Sequence, residues 1–93
     1  SAYQYEFPAE KGFDYIFNLG YEEKGLVTYL KVTDMQLKPV AEIVDSIPGK
    51  DTNLKFRVQK SGTYYINLGF TDKSGRLPKL DTEFTLIRRE IVD

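Results

Sequence analysis

One short phrase occurs twice in this chain and constrains its architecture. Residues 18–25 have the sequence NLGYEEKG, and residues 67–75 have the sequence NLGFTDKSG, with one extra residue before the final glycine. Each copy follows an aromatic stretch, at residues 15–17 in one case and 64–66 in the other. Two strands of the same build, each ending in a charged turn that contains glycine, indicate two similar places in one β-sandwich.

Apolar residues recur at every second position along most of the chain, which is the period of a half-buried β-strand. The clearest run is 13–21, and shorter runs occupy 3–7, 54–58 and 64–70. About seven such strands in 93 residues, separated by turn signals, predict an all-β antiparallel β-sandwich forming a single domain over residues 1–93. The alternation places the following side chains in one core: Tyr15, Phe17, Leu19, Leu54, Phe56, Val58, Tyr64 or Ile66, Leu68, Phe84 and Leu86.

Composition excludes several classes of function. Thirteen basic residues against fourteen acidic ones leave a net charge of −1, so the chain has no one-signed field for nucleic acid. No apolar run approaches the roughly 20 residues that a membrane-spanning helix needs. Cysteine and histidine are absent, which excludes the usual serine triads, cysteine proteases and zinc sites with nitrogen or sulfur ligands. We therefore expect no catalytic residues, no metal, no cofactor, no nucleic-acid partner and no membrane span.

The segment 60–66, KSGTYYI, resembles the E–F corner of immunoglobulin-like sandwiches. Gly62 and Tyr64 match that corner, and Ile66 stands where antibody domains place their second cysteine. Because the cysteine pair and the core tryptophan are missing, the chain is similar to the cysteine-free, immunoglobulin-like or fibronectin-like modules of bacterial secreted proteins and lipoproteins. The resemblance implies an immunoglobulin-like fold, an extracytoplasmic location, and a Tyr64 hydroxyl that bonds a backbone group a few residues upstream.

Charged turns supply the first set of candidate binding residues. Glu22 and Glu23 follow the first copy of the repeated phrase, and Lys73 and Arg76 belong to the turn at 71–78 after the second copy. Loops on a rigid scaffold are where such domains usually place recognition. Asp72 and Asp81 would be the acids of a calcium loop, but the turn holds one acid beside two cations, so we expect no metal there.

Sheet surfaces supply the second set. Lys55, Arg57, Arg88 and Arg89 would form one basic strip if their strands are neighbours, suited to a phosphate, a sugar acid or an acidic partner. An exposed tyrosine stacks on a sugar ring or anchors a protein partner, and Tyr65 is the candidate we single out. Tyr3, Tyr21 and Tyr29 are the other tyrosines that the pattern does not bury.

These observations predict a non-enzymatic binding or assembly module that recognises a protein partner through loops or a sheet edge. The alternatives are a carbohydrate-binding accessory module, and a small inhibitor or immunity protein that inserts an acidic loop such as 22–23 into its partner. A planar row of exposed tyrosines would favour carbohydrate, and a projecting acidic loop would favour the inhibitor. A long unpaired edge strand would favour assembly by strand addition.

Overall fold

The computed structural model describes residues 2–21, 26–45, 52–72 and 82–92, which form seven strands with antiparallel pairing throughout. No helix that could cross a membrane occurs among them. The predicted all-β antiparallel sandwich of about seven strands is confirmed. The strands are β1 (Ala2–Ala9), β2 (Phe13–Tyr21), β3 (Leu26–Thr33), β4 (Pro39–Asp45), β5 (Thr52–Arg57), β6 (Gly62–Asp72) and β7 (Thr82–Glu90).

The strands form two sheets with the orders β1-β6-β3-β4 and β5-β2-β7. If β1 to β7 are matched in chain order to strands A, B, C, C′, E, F and G of immunoglobulin-like domains, the central pairs B·E and C·F are both present as β2·β5 and β3·β6. The terminal strands differ, because A lies beside B and G beside F in immunoglobulin constant domains. Here β1 lies beside β6 and β7 beside β2. The immunoglobulin-like assignment therefore stays a prediction, whereas the sandwich is observed.

The two copies of the repeated phrase lie on interior strands of different sheets. Asn18 is on β2, and its side-chain amide donates to Asn53 Oδ1 of the neighbouring β5 at 2.6 Å. Asn67 is on β6, and its Oδ1 accepts from Gln4 Nε2 of the neighbouring β1 at 2.8 Å. The repeated asparagine therefore marks equivalent positions, each bonded to an edge strand of its own sheet.

Inward-facing residues from both sheets form the core. Strand β5 shows the strict alternation of buried and exposed residues that the sequence predicts. Every residue of the predicted core is buried except Phe84 and Leu86 of β7, of which Phe84 packs against the core from its rim and Leu86 is exposed. The buried apolar residues are Phe7, Ala9, Tyr15, Phe17, Leu19, Leu30, Val32, Leu54, Phe56, Val58, Tyr64, Ile66 and Leu68.

The corner before β6 is closed by Tyr64. Its hydroxyl donates to the carbonyl oxygen of Lys60 at 2.6 Å, four residues upstream, while its ring packs edge-on against Phe56 with 5.0 Å between ring centroids. The bond predicted from the sequence is therefore present. A second tyrosine bonds to the turn between β1 and β2, where the Tyr15 hydroxyl accepts from the backbone N–H of Glu10 at 3.0 Å.

The variant Tyr64→Phe is expected to lower the free energy of unfolding by about 1 kcal/mol, the usual net contribution of one hydrogen bond. The ring stays in place, and only the bond to the Lys60 carbonyl is lost. Urea unfolding of wild type and variant measures the difference. The matched control is Tyr65→Phe, because Tyr65 is the next residue and is only partly buried. Equal midpoints for Tyr64→Phe and wild type would contradict a role of the hydroxyl in the corner.

Candidate functional site

The two terminal strands border one side of the sandwich. In the described part of the chain, β1 is an edge of the four-stranded sheet and β7 is an edge of the three-stranded sheet. The rings of Tyr5 and Phe84 stack with 6.3 Å between centroids, so these two edges face each other across the gap between the sheets. We call this gap the open seam and define it by Tyr3, Tyr5, Phe84 and Leu86.

Strand β1 contributes two tyrosines to the open seam. Tyr3 is paired with Leu68 and Tyr5 with Ile66, and both partners are buried in the core. Residues paired in a sheet share a face, so both tyrosines lie on the inner face of their sheet. Tyr5 is nevertheless 53% exposed, although Phe7, two residues further along β1, is buried. The inner face of β1 is therefore only partly covered at this end.

Strand β7 shows the same mismatch between orientation and burial. Leu86 is paired with Phe17, and Phe17 is completely buried. Leu86 is 46% exposed, and its outward neighbour Ile87 is exposed as well. Alternation predicted Leu86 to be in the core; its orientation is as predicted but its burial is not, because it lies on the outermost strand of its sheet.

Aromatic rings connect the open seam to the centre of the core. Beyond the stack of Tyr5 on Phe84, Phe84 stacks on Phe17 at 6.0 Å, and Phe17 meets Phe7 edge-on at 5.3 Å between centroids. Offset and edge-on pairs at these separations add to the stability from area burial alone. The inner wall of the seam therefore consists of rings held in place by the core.

A carboxylate between two guanidinium groups lies on the outer face of the three-stranded sheet. Asp14 of β2 is buried and accepts two bonds from Arg57 of β5, Nε to Oδ1 at 3.0 Å and Nη2 to Oδ2 at 3.1 Å. On its other side, Arg89 Nη2 of β7 lies 3.6 Å from Oδ2. The sheet order explains the arrangement, because β2 runs between β5 and β7.

The single basic strip considered from the sequence does not form; the structure has this ion cluster in its place. The strands that carry Arg57 and Arg89 are not neighbours, and Asp14 separates their charges. Arg88 lies on the inner face instead, with its guanidinium carbon 4.3 Å from the centre of the Phe13 ring. Sequence reasoning missed Asp14 because its signal, an acid directly opposite two arginines, exists only once the strand pairing is known.

The hydrogen bond from Arg57 lowers the pKa of Asp14 below its ordinary value. Burial of the carboxylate acts in the opposite direction, and the positive charges of Arg57, Lys55 and Arg89 add to the lowering. Asp14 is therefore ionised throughout the neutral range. Its ion pair with Arg89 connects β7 to β2, the central strand of the three-stranded sheet.

The remaining sequence candidates are separated from the open seam or lie outside the described residues. Tyr65 is partly buried on the outer face of the four-stranded sheet, opposite Glu6 on one side and Thr33 on the other. Glu22, Glu23, Lys73 and Arg76 lie outside the described residues, as does Asp81 of the calcium loop considered above. No cluster of three potential metal-ligating acids occurs in the part of the chain that the structure describes.

Comparison with known proteins yields no relative: no protein-family model, no curated protein and no solved structure matches the chain. The fold and the site define a class only, an antiparallel β-sandwich with an apolar seam between its two terminal strands.

Proposed function

We propose that this chain is a non-enzymatic protein-binding module that takes an extended segment of a partner as an added strand along β7. The observation that supports it is that Tyr5 and Leu86 face the inside of the sandwich and are still about half exposed. Side chains in that position become buried when one more strand is placed beside them. An exposed sheet edge recruits such a strand through its backbone hydrogen bonds.

The added segment would receive two kinds of interaction. The outer edge of β7 supplies backbone donors and acceptors along nine residues. The open seam supplies apolar contact for every second side chain of the segment, because neighbours in a strand point to opposite faces. Completing the burial of a half-exposed leucine is worth on the order of 1 kcal/mol. Hydrogen bonds would thus give affinity, and the seam would select for apolar residues at alternate positions.

The positive charge of Arg89, near the C-terminal end of β7, favours an acidic residue in the partner. The Arg89 side chain is 61% exposed, and its Nη2 atom lies 3.6 Å from Asp14 Oδ2, which is longer than a hydrogen bond. A carboxylate of the partner beside Arg89 on the outer face would give Arg89 a second ion pair. The bonds between Asp14 and Arg57 would stay intact. The partner class is therefore a protein segment of alternating apolar residues with an acid at one end. The absence of histidine and cysteine supports a binding role over catalysis.

The test selects nine-residue peptides from a random display library and maps their binding by NMR. Selected peptides are expected to alternate apolar and polar residues and to shift the signals of Thr85, Leu86, Ile87 and Tyr5. The variant Leu86→Lys is expected to raise Kd at least about tenfold, equivalent to 1.4 kcal/mol. The matched control is Val44→Lys, since Val44 is also an exposed apolar residue on an edge strand. Binding that survives Leu86→Lys would refute the assignment to β7.

A second candidate, carbohydrate binding, is favoured by one observation on the opposite face of the molecule. Tyr29 and Tyr65 are both partly buried on the outer face of the four-stranded sheet. The ring of Tyr29 lies directly over Gly69, where a Cβ atom would overlap it. Their pairing partners set them four residues apart along the strands, about 13 Å. Titrating the same NMR sample with a soluble β-glucan would shift Tyr29 and Tyr65 selectively if this function were correct.

A further inference from the structure

We infer that the strand added to β7 is β7 of a second copy of this chain, paired antiparallel about a two-fold axis through Leu86. This inference rests on the proposed function, because it requires that the β7 edge accepts a strand. It would join two three-stranded sheets into one continuous six-stranded sheet with the order β5-β2-β7-β7-β2-β5. Such an isologous interface needs a strand that is complementary to itself.

The sequence of β7 is self-complementary in this register. With Leu86 opposite Leu86, Glu83 lies opposite the second copy's Arg89, and Phe84 lies opposite the second copy's Arg88. By symmetry each of these pairs occurs twice. Opposite charges and cation–aromatic pairs directly across two strands are both favourable. Arg89 keeps its approach to Asp14 within its own sheet, and this register gives it a second acidic neighbour in the other copy.

Other registers lack this complementarity. If the inner faces of the two sheets are to form one continuous face, each inward residue of one β7 must lie opposite an inward residue of the other. A register that places inward residues opposite outward ones would put the two inner faces on opposite sides of the joined sheet. The two nearest alternatives therefore have the axis at Ile87 or at Thr85. Centring the axis on Ile87 places Arg89 opposite Thr85 and Arg88 opposite Leu86. Centring it on Thr85 places Glu83 opposite Ile87. The pattern of charges thus selects the register about Leu86.

Strand β7 is also the edge that has neither proline nor a register shift nor a short length. Proteins protect exposed edges with these features or with inward-pointing charges. The inward-facing charge of β7, Arg88, lies over the Phe13 ring of its own sheet. Strand β1 contains Pro8, and β4 begins at Pro39, where its pairing with β3 shifts register. Strand β5 has six residues. Strand β7 has nine residues without proline, pairs with β2 in unbroken register, and exposes Leu86 and Ile87 on its two faces.

The experiment measures the mass of wild type by sedimentation velocity at concentrations up to about 1 mM. One strand pair is a small interface, so a dimer with a Kd on the order of 10–100 μM is expected. Because the residue on the axis faces its own copy, Leu86→Lys and Leu86→Glu should each be monomeric through repulsion of like charges. Mixing the two variants should restore a one-to-one heterodimer. Val44→Lys should dimerise like wild type.

Several outcomes would overturn the inference. A wild type that stays monomeric at the highest concentration refutes self-pairing, and if it still binds selected peptides along β7 the proposed function survives. A dimer that persists in both Leu86 variants places the interface elsewhere. A mixture of the two variants that stays monomeric excludes a two-fold axis through residue 86. Retained circular dichroism of each variant shows that loss of the dimer is not loss of the fold.

Discussion

The variant Phe17→Ala is expected to lower the free energy of unfolding by about 3–5 kcal/mol, and Leu86→Ala, directly opposite, by only about 1 kcal/mol. Phe17 has no exposed surface and contacts the rings of Phe7 and Phe84, so its removal leaves a cavity. Leu86 is paired with Phe17 but lies half exposed at the open seam. Domains of this size have about 5–15 kcal/mol of stability, so the first change removes a large part of it.

Urea unfolding of both variants measures this difference, and equal m-values would show that the variants differ in stability alone. If Phe17→Ala does not fold, Phe17→Leu provides a milder change in the same position, with an expected cost below that of alanine. The informative comparison is between Phe17 and Leu86. A cost for Leu86→Ala as large as that for Phe17→Ala would show that the inner face of β7 is covered in the free protein. The open seam, and with it the proposed binding site, would then not exist.

The variant Asp14→Asn is expected to lower the melting temperature at neutral pH by several degrees. The amide keeps the shape of the carboxylate but removes its charge, so Arg57 and Arg89 both lose their ion pair with residue 14. The charge-assisted pair of hydrogen bonds from Arg57 is stronger than the neutral bonds that an amide can accept in its place. The matched control is Glu10→Gln, since Glu10 is exposed and lies 3.9 Å from Arg88. That control should stay close to wild type.

The same carboxylate predicts a pH dependence. The pKa of Asp14 is lowered in the folded protein from its ordinary value of 3.8. The unfolded chain therefore binds this proton at higher pH than the folded chain, and Asp14 contributes stability fully above about pH 4. The contribution is lost as the pH falls from there through the lower, folded pKa. Melting curves of wild type between pH 2 and 7 should decline in that range, and Asp14→Asn should decline less. Parallel curves would contradict the assignment.

Local patterns in the sequence were sufficient for the fold class and much of the core. The burial of Phe17, Leu19 and Leu68 follows from period-2 alternation, which assigns a side chain to one face of its strand whatever the neighbouring strand is. The Tyr64 corner follows from a turn four residues long, in which donor and acceptor are close along the chain. Both features depend on interactions over short sequence distances.

The candidate site was predicted less well, because it depends on the order of the strands. Alternation placed Leu86 inward, but its exposure is decided by which strands lie beside and above β7. The ion cluster needed β2 to lie between β5 and β7, so that Asp14 faces Arg57 and Arg89 from its two sides. The turns that carry Glu22, Glu23, Lys73 and Arg76 keep their binding roles as predictions.

The sequence alone determined that the chain forms strands, which side chains point inward, and that the Tyr64 hydroxyl bonds the corner before β6. Those properties come from the geometry of a single strand and its adjoining turn. Only the tertiary structure decided that β1 and β7 occupy edges on the same side of the sandwich, that Tyr5 and Leu86 remain half exposed, and that Asp14 joins two arginines. Pairing between strands far apart in sequence determines these features, and a period of two residues carries no information about which strands become neighbours.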